Sequence, residues 1–310
     1  MKVYDMHVHI IAKEEMPEAY HQGVAKSVRL MMKNQHNIDM TLDEVEEKVM
    51  PGMYDPAGKV YLDLAAKAGI DKAMIFGSDF GVEIGDPEIH PYDTNRRLAD
   101  LAKKYPDKFI ALAALDPRRP GAVKHFRTCV EEWGMKGLKL HPAAGFYPTD
   151  QICCPFYEMC ADYGLPIIFH SGAQPAAPVK LDSQRPVFIV EAATRFPDTK
   201  MIIAHAAMDL WPEAVMYGRL VPNVYFDISA YQFNYLYWGS HKFYEWLRAL
   251  INQCGAGKIM WATDHPLPNV ALQPDAWVKV LTEPKTSISF TDKEIEMLMG
   301  GAAAGVFGIE

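Results

Sequence analysis

Cysteine is scarce in this chain: there are five in 310 residues, an odd number, and no CxxC pair. That excludes a disulfide framework and implies reduced thiols. Long apolar runs are missing as well. The longest uncharged apolar stretch, Ile110–Leu115, is far short of the roughly 20 residues that cross a bilayer. Positive charge is neither abundant nor clustered. Thirty-one Lys+Arg face 39 Asp+Glu for a net charge of −8, and basic residues come at most in pairs such as Arg96–Arg97, Lys103–Lys104 and Arg118–Arg119. A nucleic-acid-binding face is therefore not expected. No basic segment followed by an apolar one opens the chain, so the expected location is cytoplasmic and the expected partner a small molecule. Neither GxGxxG nor GxxxxGK[ST] occurs, which removes the common phosphate-cradling loops.

Short apolar runs alternate with amphipathic stretches from end to end. The spacing predicts strands over Val3–His9, Lys72–Gly77, Phe109–Leu115, Gly137–His141, Pro166–His170, Met201–His205, Val224–Ile228 and Ile259–Asp264. A helical pattern follows nearly every one, and no flexible linker separates two halves. Eight strand–helix units imply parallel pairing through right-handed crossovers. The expected fold is a single α/β domain over residues 1–310, a (β/α)8 TIM barrel. An irregular, polar, Met-rich insertion at about residues 12–57 follows the first strand as a lid.

Histidine placement carries the chemistry. His7-x-His9 is weak as an isolated motif, but it stands at the C-terminal end of the first strand. Alternation there puts Asp5, His7 and His9 on one face, with Asp5 expected to orient an imidazole. Three later strands also end in histidine (His141, His170, His205) and the last ends in Asp264. All strand C-termini of a parallel barrel meet at one mouth, where active sites collect. His7, His9, His170 and Asp264 together form a nitrogen–oxygen donor set suited to one divalent transition metal, zinc foremost and manganese next. His205 and Asp264 are the candidate catalytic acid/base residues.

Asp5-Met6-His7-Val8-His9, His170 in Phe-His-Ser-Gly, His205 in Ile-Ala-His-Ala and Asp264 in Ala-Thr-Asp-His-Pro resemble the amidohydrolase superfamily. The closer likeness is to the branch that includes aminocarboxymuconate-semialdehyde decarboxylase, along essentially the whole chain. It implies His7, His9, His170 and Asp264 as metal ligands and His205 as the catalytic histidine. Other branches carry a carboxylated lysine on the fourth strand, a role open to Lys139. The mononuclear branch generally lacks that bridge, so the leading expectation is that Lys139 and His141 contact an anionic or carbonyl oxygen of the substrate, with Phe146 and Tyr147 as a further wall.

The insertion's methionines and the aromatic segment 231–244 suit either a lid over a cyclic ligand or a contact between copies of the chain. The branch contains hydrolases, hydratases and non-oxidative decarboxylases. No arginine stands at a strand end to clamp a carboxylate, although Arg29 or Arg185 could supply one from a loop. The leading expectation is therefore hydrolysis of a C–N, C–O or C–C bond in a small cyclic or carboxylated carbonyl compound. The alternative is decarboxylation or hydration of an aromatic or muconate-type acid.

Overall fold

A computed structural model describes residues 1–175 and 177–309. Its strands are β1 (Tyr4–Val8), β2 (Lys72–Ile75), β3 (Phe109–Ala111), β4 (Ala113–Ala114), β5 (Leu138–Leu140), β6 (Ile167–Phe169), β7 (Met201–Ile203), β8 (Val224–Asp227) and β9 (Ile259–Met260). Every pairing is parallel, in the orders β1-β2-β3 and β4 through β9. β3 and β4 are one strand interrupted at Leu112, whose N–H donates to Ile75 while Ala113 N–H donates to Gly137. The circle closes where Asp264 N–H donates to His7 O at 2.9 Å and His9 N–H donates to His265 O at 2.8 Å. The architecture is thus the expected TIM barrel, with all eight predicted strand positions occupied.

Short strands buried on both faces explain why the sequence reads as near-continuous apolar runs. Met6, Met74, Leu112, Ile168, Ile202 and Met260 fill the interior, and the C-terminal helix Ala302–Phe307 packs against them. The opposite faces, including Val8, Ile75, Leu138, Ile167 and Ile203, meet the surrounding helices.

One strand departs from simple alternation. The pairing of β1 with β2 shifts register between Asp5 and Val8, a bulge that places one extra residue on β1. Tyr4 and Met6 consequently face the barrel interior, whereas Asp5 points outward to the helix Lys59–Ala68. Its carboxylate accepts from Tyr61 Oη at 2.8 Å, Thr263 N at 2.8 Å and Thr263 Oγ1 at 2.6 Å. The expectation that Asp5 orients an imidazole is therefore corrected. Its carboxyl, pushed up to about 7 by burial, ties β1 to the last strand and the neighbouring helix.

The stretch after β1 is also more regular than its sequence suggests. It holds a helix over Glu18–His36 and a second over Leu42–Lys48, the latter started by a Thr41/Glu44 capping box. Val24, Ala25, Val28, Val45, Met50 and Met53 give it a small core of its own. Arg97 closes its two ends: the guanidinium grips Glu15 with two 2.6 Å bonds and donates at 2.7 Å to both Ile10 O and Pro56 O. Among the described residues no helix is long and apolar enough to cross a membrane.

Candidate active site

The C-terminal ends of the strands bring His7, His9, Lys139, His141, His170, His205 and Asp264 together. Two of the supporting backbones are bent to do so. Asp264 has φ 55°, and four successive residues from His205 to Met208 have φ between 40° and 61°. Left-handed backbone costs a non-glycine residue about 1 kcal/mol or more, and it persists where the surroundings over-determine it. Met208 then swings against the backbone of Gly172, where a Cβ would lie 2.8 Å from Met208 Cγ, so only glycine fits there.

Hydrogen bonding fixes which imidazole nitrogens carry protons. His7 Nδ1 lies 3.1 Å from Asp227 Oδ2, which can only accept, and His9 Nδ1 lies 3.1 Å from the carbonyl of Phe76, which can only accept. In the neutral rings Nε2 is therefore a lone pair in both, and that of His7 has Lys139 Nζ 3.2 Å away as a donor. Burial, and then Lys139 nearby, push His7 down to about 3, so its neutral form prevails. These two lone pairs converge on Asp264 Oδ1, at 3.3 Å from His7 Nε2 and 3.5 Å from His9 Nε2. Burial works to raise the Asp264 carboxyl, whereas any positive charge on His205, His7 or His9 holds it well below the ordinary range, so the group is ionised whenever those rings carry a proton. Three electron-pair donors facing one another call for a cation between them.

A second chain of protons ends in the same way. Ser229 Oγ donates to Asp227 Oδ1, so His205 Nδ1, 2.8 Å from the serine oxygen, must donate to Ser229 Oγ. His205 Nε2 then accepts from His170 Nδ1 at 3.2 Å. This leaves His170 Nε2 with a lone pair, buried and unpartnered among the described residues. An orphaned imidazole nitrogen beside a His7/His9/Asp264 cluster is what a metal ligand looks like without its ion, and the donor set fits a divalent transition metal.

Lys139 Nζ lies 3.2 Å from His7 Nε2 and 5.0 Å from the Phe76 ring centroid. Burial pulls it down to about 8, against the pull of Asp227 and Asp264. His141 stacks on His170 at 4.0 Å, and its Nε2 lies 3.3 Å from Gln174 Nε2.

Above this floor opens a cavity of about 520 Å³. Its roof is one face of the helix Glu18–His36, contributing Tyr20, Val24, Ser27, Val28, Met31 and Asn34 at helical spacing. Phe233, Tyr237 and Trp238 form the facing wall, from the helix Tyr231–Trp238. Lys139 is the only lysine or arginine among the described residues lining it.

Several expectations are corrected here. Phe146 and Tyr147 do not line the cavity. The turn over Pro142–Ala144 and the left-handed Gly145 send the chain outward, Phe146 into the helix-facing core and Tyr147 Oη onto Asp182 at 2.6 Å. Arg29 bonds to Met40 O and Arg185 pairs with Glu213, so neither clamps a ligand in the cavity. Of the aromatic segment, Tyr231, Phe243 and Tyr244 are core residues, Tyr231 stacking 3.9 Å from Trp246. Asp227 was missed by sequence reasoning. The signal was available, since it is a carboxylate closing an apolar strand, as Asp264 is.

Fold and site together define a barrel with an imidazole–carboxylate centre at the mouth of its strands, beneath a helical lid. The chain belongs to the amidohydrolase family, whose model matches residues 4–309. It is an enzyme of that superfamily. No curated protein matches the sequence. Solved structures with the same fold include 5-carboxyvanillate decarboxylase from Sphingomonas paucimobilis (18% identity, TM-score 0.66, covering 100% of this chain and 99% of that one). Others are 4-oxalomesaconate hydratase from Rhodopseudomonas palustris (17%, TM-score 0.61, 99% and 95%) and a dihydroxybenzoic acid decarboxylase from Polaromonas sp. JS666 with bound manganese and 2-nitroresorcinol (18%, TM-score 0.65, 99% and 97%).

Proposed function

We propose that this chain is a metal-dependent lyase that removes CO₂ from a small aromatic or otherwise unsaturated carboxylic acid. The observation that carries the reading is the buried ammonium of Lys139, among the described residues the single Lys or Arg facing an otherwise largely apolar cavity, next to the imidazole–carboxylate cluster. The missing strand-end arginine, which by itself points to hydrolysis, loses its force because Lys139 offers a carboxylate partner at the cavity floor. Likeness to decarboxylases and a hydratase of the same fold supports the lyase side. His7, His9, His170 and Asp264 would hold the cation, zinc or manganese. When bound it supplies positive charge to polarise the substrate's oxygens.

The chain's own residues do the rest. Lys139 orients the carboxylate, the lid excludes water, and His205 holds the proton that replaces CO₂ on carbon (RCO₂⁻ + H⁺ → RH + CO₂). The hydrogen bond from its Nδ1 to Ser229 fixes the ring and leaves Nε2 as the nitrogen that gains and gives that proton, a step in which Nε2 gives up the bond it accepts from His170 Nδ1.

Hydrolysis is the second reading, favoured by the Asp264 carboxylate, which stays ionised and can accept a proton from water. The test pairs metal analysis of the purified protein and a His170→Ala variant with turnover of aromatic carboxylates. About one equivalent of metal in the parent only, and CO₂ in the headspace, support the lyase reading. Incorporation of solvent ¹⁸O into an acid product without CO₂ release overturns it in favour of hydrolysis. No metal, even after reconstitution, would sink both.

A further inference from the structure

The cavity is far from uniform along its length, and its gradient describes a ligand. At the floor lie the imidazoles, Asp264 and Lys139. The midsection is apolar: Tyr20, stacked on Phe80 at 4.3 Å, is followed outward by Val24, Val28 and Met31 on the roof helix, with Met50 and Met53 behind them. Phe233 and Trp238 stand opposite, and at the outer end the lining turns to the neutral amides of Asn34, Gln35 and Asn234. Gln35 Nε2 donates to Tyr237 Oη there, joining the lid helix to the aromatic helix, while Gln35 Oε1 is buried without a partner among the described residues.

The lining acids do not supply a second anion site. Glu15 is consumed by Arg97 and Ala12 N–H, and Asp209 is exposed at the rim and repels anions. At about 30 Å³ per water-sized group, 520 Å³ holds on the order of seventeen such groups, more than one carboxylated ring occupies.

We infer that the ligand is an elongated monocarboxylic acid: one carboxylate at the Lys139 floor, then a ring or unsaturated segment, then an uncharged apolar arm lying under the roof helix. This rests on the carboxylate-binding reading of the floor and extends it to the rest of the substrate. Charge complementarity sets the direction. The positive charge lies at the floor, with Lys139 and the proposed metal ligands, so the anionic end of the ligand goes there, and a second carboxylate on the arm would be buried among Val28, Met31 and Met53, which offer it no charge partner. Flexible methionines line the arm's path, so it accepts chains of several shapes.

The test is a calorimetric binding series on the metal-loaded protein with benzoate, 4-ethyl-, 4-butyl- and 4-hexylbenzoate, beside terephthalate. Burial of each methylene should lower Kd about fourfold until the arm is filled, and terephthalate should bind more weakly than 4-ethylbenzoate. Met31→Glu should abolish most of the gain between the ethyl and hexyl compounds, with its fold checked by circular dichroism. The parent series decides the matter even if that variant does not fold. A flat series, or terephthalate binding as well as 4-ethylbenzoate, overturns the inference. Headspace CO₂ is read from parallel mixtures with the corresponding 2-hydroxy-4-alkylbenzoates, whose hydroxyl activates the carboxylated carbon for protonation. A rising series without CO₂ would overturn the lyase reading and leave the ligand assignment standing, whereas CO₂ release with a flat series would do the reverse.

Discussion

Asp227→Asn is the substitution whose consequence follows most directly from the hydrogen-bond directions. Asp227 Oδ1 accepts from His205 N–H at 2.9 Å, Ser229 N–H at 3.0 Å and the Ser229 hydroxyl, while Oδ2 faces His7 Nδ1 at 3.1 Å. An asparagine must keep its one oxygen where three donors converge, so its NH₂ turns toward His7. That NH₂ donates, His7 Nδ1 becomes the acceptor, and the ring proton moves to Nε2, the nitrogen beside His9 and Asp264. The lone pair proposed to bind metal is thereby blocked, although every proposed ligand is still present. Loss of a partner that sets a ligand's tautomer costs about 10- to 100-fold in metal affinity, or about 1.4–2.7 kcal/mol. Competition against a chelator of known affinity measures it, with circular dichroism as the folding control and nitrogen chemical shifts of His7 as a direct readout of the tautomer. A folded Asp227→Asn protein that holds metal within twofold of the parent would refute the reasoning.

Lys139→Met should weaken carboxylate binding by about 10- to 100-fold, the worth of a hydrogen bond to a charged group, while the metal content stays unchanged. Calorimetry with benzoate reads the first and elemental analysis the second, and unaltered benzoate affinity would remove Lys139 from substrate binding. Arg97→Ala breaks a largely buried ion pair together with two carbonyl contacts, so the stability loss should be about 3 kcal/mol. Limited proteolysis should then cut first within residues 12–57, and an unchanged cleavage pattern would count against Arg97 as the clasp. Glu294 is held down at about 2, first by its hydrogen bonds from Arg248. A depressed carboxyl stabilises the fold above its unfolded value of about 4.3 and loses that contribution as pH falls toward 2. Arg248→Met should therefore lower the melting temperature at neutral pH and flatten its decline across that window, and parallel melting curves would contradict this. Removal of a bound metal by chelator should also lower the melting temperature, by mass action, and restoring the ion should recover it.

The barrel was legible because its strands are short, apolar and evenly spaced, and because the residues that matter stand at their ends. His141, His170, His205 and Asp264 each close such a run, so one argument places all four at the mouth. What escaped has identifiable causes. The bulge in β1 leaves no mark on composition, yet one extra residue reverses which side chains face inward, and Asp5 changed sides with it. The helix Glu18–His36 turns toward the cavity a face that mixes buried Val24 and Val28 with half-buried Ser27 and exposed Asn34, and its periodicity is blurred accordingly. Phe146 and Tyr147 follow a strand, as rim residues do, but Gly145 turns the chain away from the mouth. Asp227 escapes a reading built on histidines because it lies one step behind them, where the hydrogen bonds that set the tautomers of His7 and His205 end.

One guanidinium gathers Ile10, Glu15 and Pro56, so the two ends of the lid segment are held side by side whatever the chain does between them. The barrel is thus presented with a closed loop on a fixed footing. Replacement, shortening or lengthening of the intervening stretch leaves the histidines of β1 where they are. The cavity's roof and the strand-end histidines therefore sit on separate parts of the polypeptide. A different segment grafted between the same two anchor points would change the roof and leave the histidines on their own supports.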